Sequence, residues 1–311
     1  MNQVYRYTGY LKQAFHQKMD RQLRVEGQHL LLLPVIAELR QEHPGVGARQ
    51  LYRILQPIHI GRDRFESLCF EYGFKLERPK AYKRTTNSSG VIRFANLIEY
   101  AEFTRINQAW SSDITYYQIG EQVYYITFII DLFSRKITGF SVSSRLFTEL
   151  TTLPALQMAL KQRAPAPGLI FHSDGGGQYY SKHFLKLTRD NQINNSMCDV
   201  VYENAHAERI NGTIKNQYLK GYAPTDYHSL VTMTAKAVRN YNTVRPHKSL
   251  HNKSPDDFEQ SLPVGDFSLP NDIFCSLSNK PRLQQKKHHS SMRLTVNLIP
   301  DNTLQKTVNV F

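Results

Sequence analysis

The sequence predicts an α/β domain preceded by a small helical module. Three strand-like runs, rich in β-branched and aromatic residues, follow one another between residues 109 and 143. A helical stripe of leucines, a further short apolar run and more helical segments come after them, and this alternation is typical of α/β architecture. Ahead of the strands, two helix-like segments flank a glycine-containing turn. A chain of 311 residues has room for about two domains and a tail.

The helical module is expected to span residues 1–74. A helix signal begins at Leu30, stops at the turn formed by residues 43–47 and resumes beyond it, where Leu51 and Leu55 lie one turn apart. Helix, short turn and helix is the outline of a helix-turn-helix module.

A third helix is predicted from Arg62 to Tyr72, where apolar residues recur at helical spacing between two glycines. A recognition helix places its N-terminal residues against base edges in the major groove of DNA. Arg62 and Arg64, near the start of this helix, are therefore candidate DNA contacts. The same pattern also fits an ordinary helical packing unit, and both interpretations stay open on pattern alone.

Residues 75–99 mix basic residues, proline and small polar residues, a composition typical of an exposed linker. The α/β domain is expected at residues 100–262. Its strands are predicted at AWSSDITYYQI, VYYITFIIDL, KITGFSVS and GLIFH, and the second is apolar almost throughout, as suits a central strand buried on both faces. Residues 263–311 form a basic tail to which we assign no chemistry.

Charge and cysteine content narrow the class of protein. Lys and Arg total 39 against 26 Asp and Glu, and the formal net charge of +13 favours a polyanionic partner. The three cysteines are odd in number and far apart, which argues against a disulfide framework and a thiolate zinc site. No stretch approaches the roughly 18 consecutive apolar residues of a membrane span, and the first residues lack the apolar run of a signal peptide. We expect a soluble, cytoplasmic protein that does not bind the membrane.

Three carboxylates stand out by their position. Asp113 lies within the first predicted strand, and Asp174 directly follows the strand GLIFH, at a carboxyl end of the sheet where ligands of open α/β sheets bind. Glu208 opens a helix whose apolar residues recur at four-residue intervals. Lys215, one heptad after Glu208, would lie about 20° from it around a regular helix, so that both side chains can point at one site.

A cluster of three acids needs cations. Mutual repulsion makes grouped carboxylates costly unless cations lie among them, and hard oxygen ligands suit Mg²⁺ or Mn²⁺. Two such ions about 3.5–4 Å apart activate the attacking oxygen and stabilise the departing oxygen in phosphodiester displacement. We therefore predict that Asp113, Asp174 and Glu208 are catalytic and bind two divalent ions. Any one of them alone is more simply explained as a capping or surface carboxylate, so the prediction rests on their joint placement.

The ordered motifs resemble those of a known family. They are WSSDIT at 110–115, DLFSR at 131–135, HSDGGGQY at 172–179, NAHAE at 204–208 and a closing motif that contains YN at 241–242 and RPH at 245–247. Over about residues 30–262 the chain resembles the second-frame protein of bacterial insertion sequences of the family numbered three, whose catalytic domain is similar to retroviral integrases. The resemblance implies an RNase H-like integrase catalytic core with a DDE motif, in which helices flank a mixed sheet, next to a helix-turn-helix module.

The resemblance also implies roles for residues and partners. Asp113, Asp174 and Glu208 would be the metal-binding acids, Lys215 would contact DNA near the active site, and Arg245 of the closing motif would be a further DNA contact. The implied activity is transposition, in which the ends of an insertion sequence are cut and joined to target DNA. The implied partners are DNA, further copies of the chain in a homo-multimer on DNA, and the product of an upstream reading frame, either separate or joined by a frameshift. The implied setting is the bacterial nucleoid.

Other residues near the motifs receive structural interpretations. Asp131 is expected to be structural, with Arg135 as its partner. His172 and His247 are tempting acid–base groups, but metal-activated phosphoryl transfer needs no histidine. The N-terminal module has no paired His and Cys set, so it does not resemble the zinc-binding domain of retroviral integrases. The loop at residues 198–202 is slightly shorter than is usual in the family, a difference that a loop can absorb.

Two other functions remain open. An RNase H-like nuclease that cuts DNA without joining it would have the same sheet and the same acids. A DNA-binding regulator that has lost catalysis is the other alternative, and the presence of all three acids counts against it. The helix-turn-helix outline and the closing motif favour transposition.

Overall fold

The computed structural model describes residues 11–76, 94–198 and 204–263. The chain divides into one unit at residues 1–262 and a second unit at residues 263–311. The predicted basic tail and most of the predicted linker lie outside the described residues, as does most of the loop at residues 198–202. All helices and strands described here belong to the first unit.

Four helices form the N-terminal module: α1 (Lys12–Leu30), α2 (Leu32–Glu42), α3 (Ala48–Leu55) and α4 (Arg62–Glu71). The helices predicted on either side of the turn and after it are thus confirmed. Ile36, Leu51 and Phe65 come from α2, α3 and α4, and all three are fully buried in one shared core. The apolar residues at helical spacing are therefore the ones that pack these helices together.

A five-stranded mixed sheet forms the centre of the α/β domain. β1 (Ala109–Ile119), β2 (Gln122–Asp131) and β3 (Ile137–Ser143) are antiparallel neighbours, and β4 (Ile170–Ser173) and β5 (Asn194–Met197) extend the sheet in parallel from the other edge of β1. The strand order is β3-β2-β1-β4-β5. The predicted α/β class and its four predicted strands are confirmed.

The apolar strand β2 is an interior strand with a buried second half, as predicted, and β1 occupies the middle position because β4 pairs with its second edge. One feature of the sheet differs from the prediction. The strand β5 was not predicted, since its sequence, NNSM, has little apolar character. Its hydrogen bonds to β4 make this polar segment a strand, an effect of tertiary context that periodicity does not reveal.

Helices cover both faces of the sheet. One apolar core contains residues of α5 (Thr152–Arg163) and α6 (Lys182–Asp190), and the other contains residues of α7 (Ala205–Thr213) and α8 (Tyr227–Thr243). α7 continues as a π-helix at Ile214–Leu219 and a single turn at Lys220–Tyr222, and α9 (Pro255–Gln260) is the last helix described. Within the described ranges, no helix is long and apolar enough to cross a membrane.

The turn between α2 and α3 lies directly on the π-helix. The backbone N–H of Gly45 donates to the carbonyl of Gln217 at 2.8 Å, and His43 Nδ1 lies 3.3 Å from the hydroxyl of Tyr218. A Cβ at Gly45 would lie 2.5 Å from the Cα of Gln217, so this approach requires glycine. The turn therefore holds the N-terminal helices against the α/β domain.

We expect Gly45→Ala to destabilise the protein by about 1–3 kcal/mol, because the added methyl group overlaps the backbone of the π-helix. Gly47→Ala is the matched control, since a Cβ at Gly47 meets no atom within 4 Å. Its expected cost is below about 1 kcal/mol, because the loss of a favourable N-cap glycine is offset in part by the lower conformational entropy of the unfolded chain. Urea unfolding of both variants measures the difference. Equal stabilities would contradict the close contact of the turn with the π-helix.

Candidate active site

The parallel pairing of β1 and β4 brings two of the predicted acids side by side. The register ends with Ser112 opposite Ser173, where β4 stops. The next residues along the two strands are Asp113 and Asp174. Because neighbouring strands lie about 4.7–4.9 Å apart, the two aspartates are neighbours at the carboxyl end of β4.

The negative charge of Asp113 is disfavoured by its surroundings. The pKa of Asp113 is raised to about 7. Burial is the largest cause, and the charges of Asp174 and Glu208 contribute to the rise. Asn211 opposes this effect, since its Nδ2 donates to Asp113 Oδ2 at 2.8 Å. The three acids, widely separated in the sequence, therefore interact electrostatically in the folded protein.

Asp174 occupies the turn that follows β4. Its Oδ1 accepts a hydrogen bond from the backbone N–H of Gly176 at 3.2 Å, and burial raises the pKa of the carboxyl group. The buried hydroxyl of Tyr179 lies 3.0 Å from Ser112 Oγ. Burial, and then the charges of Asp174 and Asp113, raise the pKa of Tyr179, so this phenol is neutral beside the two acids.

The helix that carries Glu208 runs along β1. Asn204, at the N-cap of α7, donates to the carbonyl of Ser112 at 2.9 Å, and Asn211 reaches Asp113 farther along the helix. Glu208 lies between the two asparagines in the first turn of α7, where the helix dipole favours a negative charge. Its side chain is exposed.

Lys215, in the π-helix, contacts β1 farther along that strand. Its Nζ donates to Thr115 Oγ1 at 3.2 Å and stands 4.5 Å from the centre of the Tyr116 ring. Thr115 and Asp113 share a face of the sheet, because they are two residues apart in β1. The prediction that a regular helix connects Glu208 and Lys215 is wrong, since Lys215 lies in the π-helix. Contacts with β1 set the position of the lysine, and π-helical segments are frequent at functional sites.

Three further residues, not predicted from the sequence, line this site: Asn204, Asn211 and Tyr179. Asn211 Oδ1 is buried and has no hydrogen-bond partner among the described residues, although its Nδ2 is bound to Asp113. The two asparagines lie four residues before and three residues after Glu208. That spacing puts all three on one helix face and was the signal available in the sequence.

The side chains of the site fit a hard divalent cation. Carboxylate and amide oxygens are the ligands that Mg²⁺ and Mn²⁺ prefer. The unpartnered Asn211 Oδ1 is an acceptor without a donor, next to acids that repel one another. Among residues 11–76, 94–198 and 204–263, no three His, Cys, Asp or Glu side chains are grouped closely enough to hold a metal ion. The acids would therefore have to move together to share one.

Known proteins match this chain across the site. The family model of the integrase core domain matches residues 104–202, and a second integrase core domain model matches residues 192–255. The transposase of insertion sequence element IS904 from Lactococcus lactis is 34% identical over 238 residues, 74% of this chain and 94% of that protein. An uncharacterized 31 kDa protein of insertion element IS600 from Shigella sonnei is 30% identical over 260 residues, 81% of this chain and 94% of that protein. Transposase InsF of insertion sequence IS3A from Escherichia coli is 33% identical over 159 residues, 49% of this chain and 54% of that protein.

This chain belongs to the IS3 family of insertion-sequence transposases. The first matched range includes Asp113 and Asp174, and the second includes Glu208. Among solved structures, the catalytic core domain of HTLV-2 integrase in complex with magnesium aligns with a TM-score of 0.42 at 22% identity, over 49% of this chain and 96% of that one. The matched family and the mixed five-stranded sheet give this IS3-family protein an α/β integrase core.

In this IS3-family chain, Asp131 stabilises the end of β2. Its carboxylate is fully buried, accepts hydrogen bonds from three backbone N–H groups and lies 3.7 Å from Arg163. The expected pairing of Asp131 with Arg135 is wrong, because Arg135 Nη1 lies 2.8 Å from His206 Nδ1. Arg135 has a left-handed backbone, with φ at 63°, and the charge of Asp131 still acts on its guanidinium group.

The two histidines considered in the sequence are neutral near pH 7. Burial lowers the pKa of His172 to about 4, and His172 Nδ1 lies 2.9 Å from Ser196 Oγ. Burial, followed by the charges of Arg245 and Arg135, lowers the pKa of His247 to about 3. Both rings pack among buried residues of the IS3-family core, as a structural interpretation expects.

The four candidate DNA contacts of this IS3-family protein fall on three separate segments. Lys215 borders the acids through its contact with β1. Arg245 follows α8, and its Nε donates to Gln217 Oε1 at 2.9 Å. Arg62 and Arg64 are exposed in the first turn of α4 and form ion pairs with acids of the same helix. Their role as DNA contacts stays a prediction.

Proposed function

We propose that this protein is a DDE transposase that binds the ends of insertion-sequence DNA and catalyses metal-dependent strand cleavage and strand transfer. The observation that carries the proposal is the pairing of β1 with β4, which makes Asp113 and Asp174 neighbours, with Glu208 near enough for its charge to act on Asp113. Acids grouped in this way are costly to a folded protein, and bound cations offset that cost. The IS904 relative, which matches over most of its length, is itself a transposase.

In this proposal Asp113, Asp174 and Glu208 hold two Mg²⁺ or Mn²⁺ ions. When bound, the ions supply activation of the attacking oxygen and stabilisation of the departing oxygen. The protein brings the three acids near one another on β1, β4 and α7, and their side chains would converge on the ions. Asn211 orients the carboxylate of Asp113 by donating to it.

The reaction consists of two displacements at phosphorus. In cleavage, water attacks a phosphodiester at the end of the element, the bond from phosphorus to the 3′-oxygen breaks, and a DNA 3′-hydroxyl is released. In transfer, that hydroxyl attacks a phosphodiester of the target DNA, and the 3′-oxygen of the target strand departs. Each attacking group loses a proton to solvent and each departing oxygen gains one.

DNA is the proposed partner, and the net charge of +13 supports it. Lys215, next to the acids, is the proposed contact near the reacting phosphate. Arg245 and the exposed Arg62 and Arg64 are the proposed contacts farther away. A homo-multimer on DNA is proposed because two ends of one element must be brought together, and an upstream-frame polypeptide, separate or fused, is a further proposed partner.

Strand transfer by the full chain is the test of this function. The substrates are duplexes that carry the ends of the element, taken from the inverted repeats that flank its gene, together with a circular target DNA and Mg²⁺ or Mn²⁺. Joined products are expected. Hydrolysed ends without joined strands would instead support the RNase H-like nuclease, and DNA binding without any metal-dependent cleavage would support an inactive regulator.

We expect Asn211→Ala to raise the Mg²⁺ concentration needed for half-maximal strand transfer by about 10–100-fold, because Asp113 loses the donor that orients it. The measurement is activity against metal concentration. Asn216→Ala, at an exposed position of the π-helix, is the matched control and should not change the metal requirement. An Asn211→Ala variant with the metal requirement of the unmodified protein would show that Asn211 does not position the metal-binding acid.

A further inference from the structure

A basic cavity lies between α7, α3 and the segment that follows α8. Its volume is about 560 Å³, within the range of about 300–1,000 Å³ that is usual for ligand sites. Four cationic side chains from distant parts of the sequence line it: Arg135, Arg209, Arg245 and Lys248. The proposed catalytic acids are not among the residues that line this cavity.

No aspartate or glutamate of the described residues lines this cavity, although the charge of Asp131 acts on Arg135. The ion pairs formed among the described residues include none with the four cations. Burial lowers the pKa of Arg135, Tyr241 and Asp131 oppose this lowering, and the nearby charge of Arg209 adds to it. An anion in the cavity would relieve this repulsion.

Neutral acceptors orient two of the arginines. Arg135 Nη1 donates to His206 Nδ1 at 2.8 Å, and Arg245 Nε donates to Gln217 Oε1 at 2.9 Å. An imidazole or an amide fixes the direction of a guanidinium group and leaves its charge available. Fixed guanidinium groups match the spacing of phosphate oxygens, which they bind in bidentate fashion.

The cavity and the acids lie on different sides of α7 and its π-helical extension. Arg209 lines the cavity, whereas Asn211 and Lys215 contact β1. Gln50 of α3 belongs to the opposite wall, so the N-terminal module contributes to the same cavity. The wall of the cavity therefore includes residues of both the N-terminal module and the helix that carries Glu208.

We propose that this cavity binds a phosphate group of the DNA backbone, with Arg209, Arg245 and Lys248 as its charged contacts. Such a contact carries no sequence information and holds the position of the DNA relative to the protein. The inference rests on the proposed function for the identity of the ligand, since DNA is the phosphodiester that a transposase binds. It goes beyond that function because it assigns a phosphate site separate from the metal-binding acids.

The first test measures DNA binding without catalysis. A short fluorescent duplex of arbitrary sequence is titrated with the full chain in EDTA at several salt concentrations between roughly 50 and 200 mM. Arg209→Gln is expected to weaken binding several-fold and to reduce the slope of log K against log salt by about 0.9, the value for one lost phosphate contact. Lys161→Gln is the matched control, because it removes one charge from an exposed position of α5.

The second test uses inorganic phosphate as the probe. Phosphate should raise the melting temperature of the protein above its value in sodium chloride of equal ionic strength, and Arg209→Gln should reduce this gain while Lys161→Gln retains it. Equal salt slopes for the two variants overturn the DNA contact, even if phosphate binds. Equal phosphate stabilisation of both variants overturns the site itself.

Failure of this inference is distinguishable from failure of the proposed function. Neither measurement needs a metal ion or a cleaved strand. If strand transfer fails while Arg209→Gln still weakens DNA binding, the catalytic proposal is wrong and the phosphate site stands. If strand transfer succeeds and Arg209→Gln binds DNA like Lys161→Gln, the phosphate site is wrong.

Discussion

Asp174→Asn is expected to reduce both strand cleavage and strand transfer by about 10³-fold or more. The amide cannot supply the negative charge that a metal-binding acid provides, and metal ions contribute several kcal/mol to transition-state stabilisation. Each 1.36 kcal/mol corresponds to a tenfold change in rate, so a loss of about 4 kcal/mol gives this factor. Quantifying joined and cleaved strands over time in Mg²⁺ measures the change.

The control for this variant is Asp190→Asn, which removes one exposed carboxylate at the end of α6. It should retain full activity. DNA binding by Asp174→Asn in EDTA should be at least as tight as that of the unmodified protein, because Asn has the same shape and removes a charge that repels phosphate when no metal is present. Strand transfer by Asp174→Asn at the unmodified rate would remove Asp174 from the proposed site.

Asp113→Asn is expected to have opposite effects on activity and on stability. Strand transfer should fall as for Asp174→Asn, since Asp113 is a proposed metal ligand. The metal-free protein should become more stable at pH 8 by on the order of 2 kcal/mol, because a half-buried charge beside two other acids is removed. Urea unfolding in EDTA at pH 5 and pH 8 measures the stability change.

The sign of the pH dependence follows from the raised pKa of Asp113. The folded carboxyl group has a pKa of about 7, against an ordinary value of 3.8, so the folded protein binds the proton more tightly than the unfolded chain. Its contribution therefore lowers stability as pH rises from about 4 to about 7, and it is constant above that range. Asp113→Asn should lose this part of the pH dependence, whereas Asp190→Asn should keep it.

The effect of divalent metal on stability is a further measurement that distinguishes Asp113→Asn from the unmodified protein. Mg²⁺ binds only the folded site in this proposal, so it should raise the stability of the unmodified protein at pH 8. The gain should be smaller in Asp113→Asn. If Asp113→Asn is less stable than the unmodified protein in EDTA at pH 8, then repulsion among the acids does not govern this site.

Much of the fold was predictable because its signals are local. The strands β1 to β4 were predicted within a few residues, since runs of β-branched and aromatic residues between turn residues are a property of the chain itself. The helices α2, α3 and α4 followed from apolar spacing in the same way. By contrast, β5 has the polar sequence NNSM, and only its hydrogen bonds to β4 make it a strand.

The residues around the acids were less predictable for a related reason. Asn211 resembles any polar residue on a helix, and its importance arises from a hydrogen bond to a strand far away in the sequence. The π-helix that carries Lys215 has no pattern of its own that distinguishes it from an α-helix. The partner of Arg135 was predicted wrongly because His206, which its guanidinium group contacts, lies 71 residues away in the sequence.

The sequence by itself determined the helical and strand segments, the basic charge and the positions of Asp113, Asp174 and Glu208 near the ends of elements. Its ordered motifs also indicated the IS3 family, to which the chain belongs. Only the tertiary structure decided that β1 and β4 pair in the register that makes Asp113 and Asp174 neighbours. Only the tertiary structure, likewise, gathered four cations around one cavity. Periodicity records which face of an element is buried, whereas register and long-range packing depend on the partners that each element meets after folding.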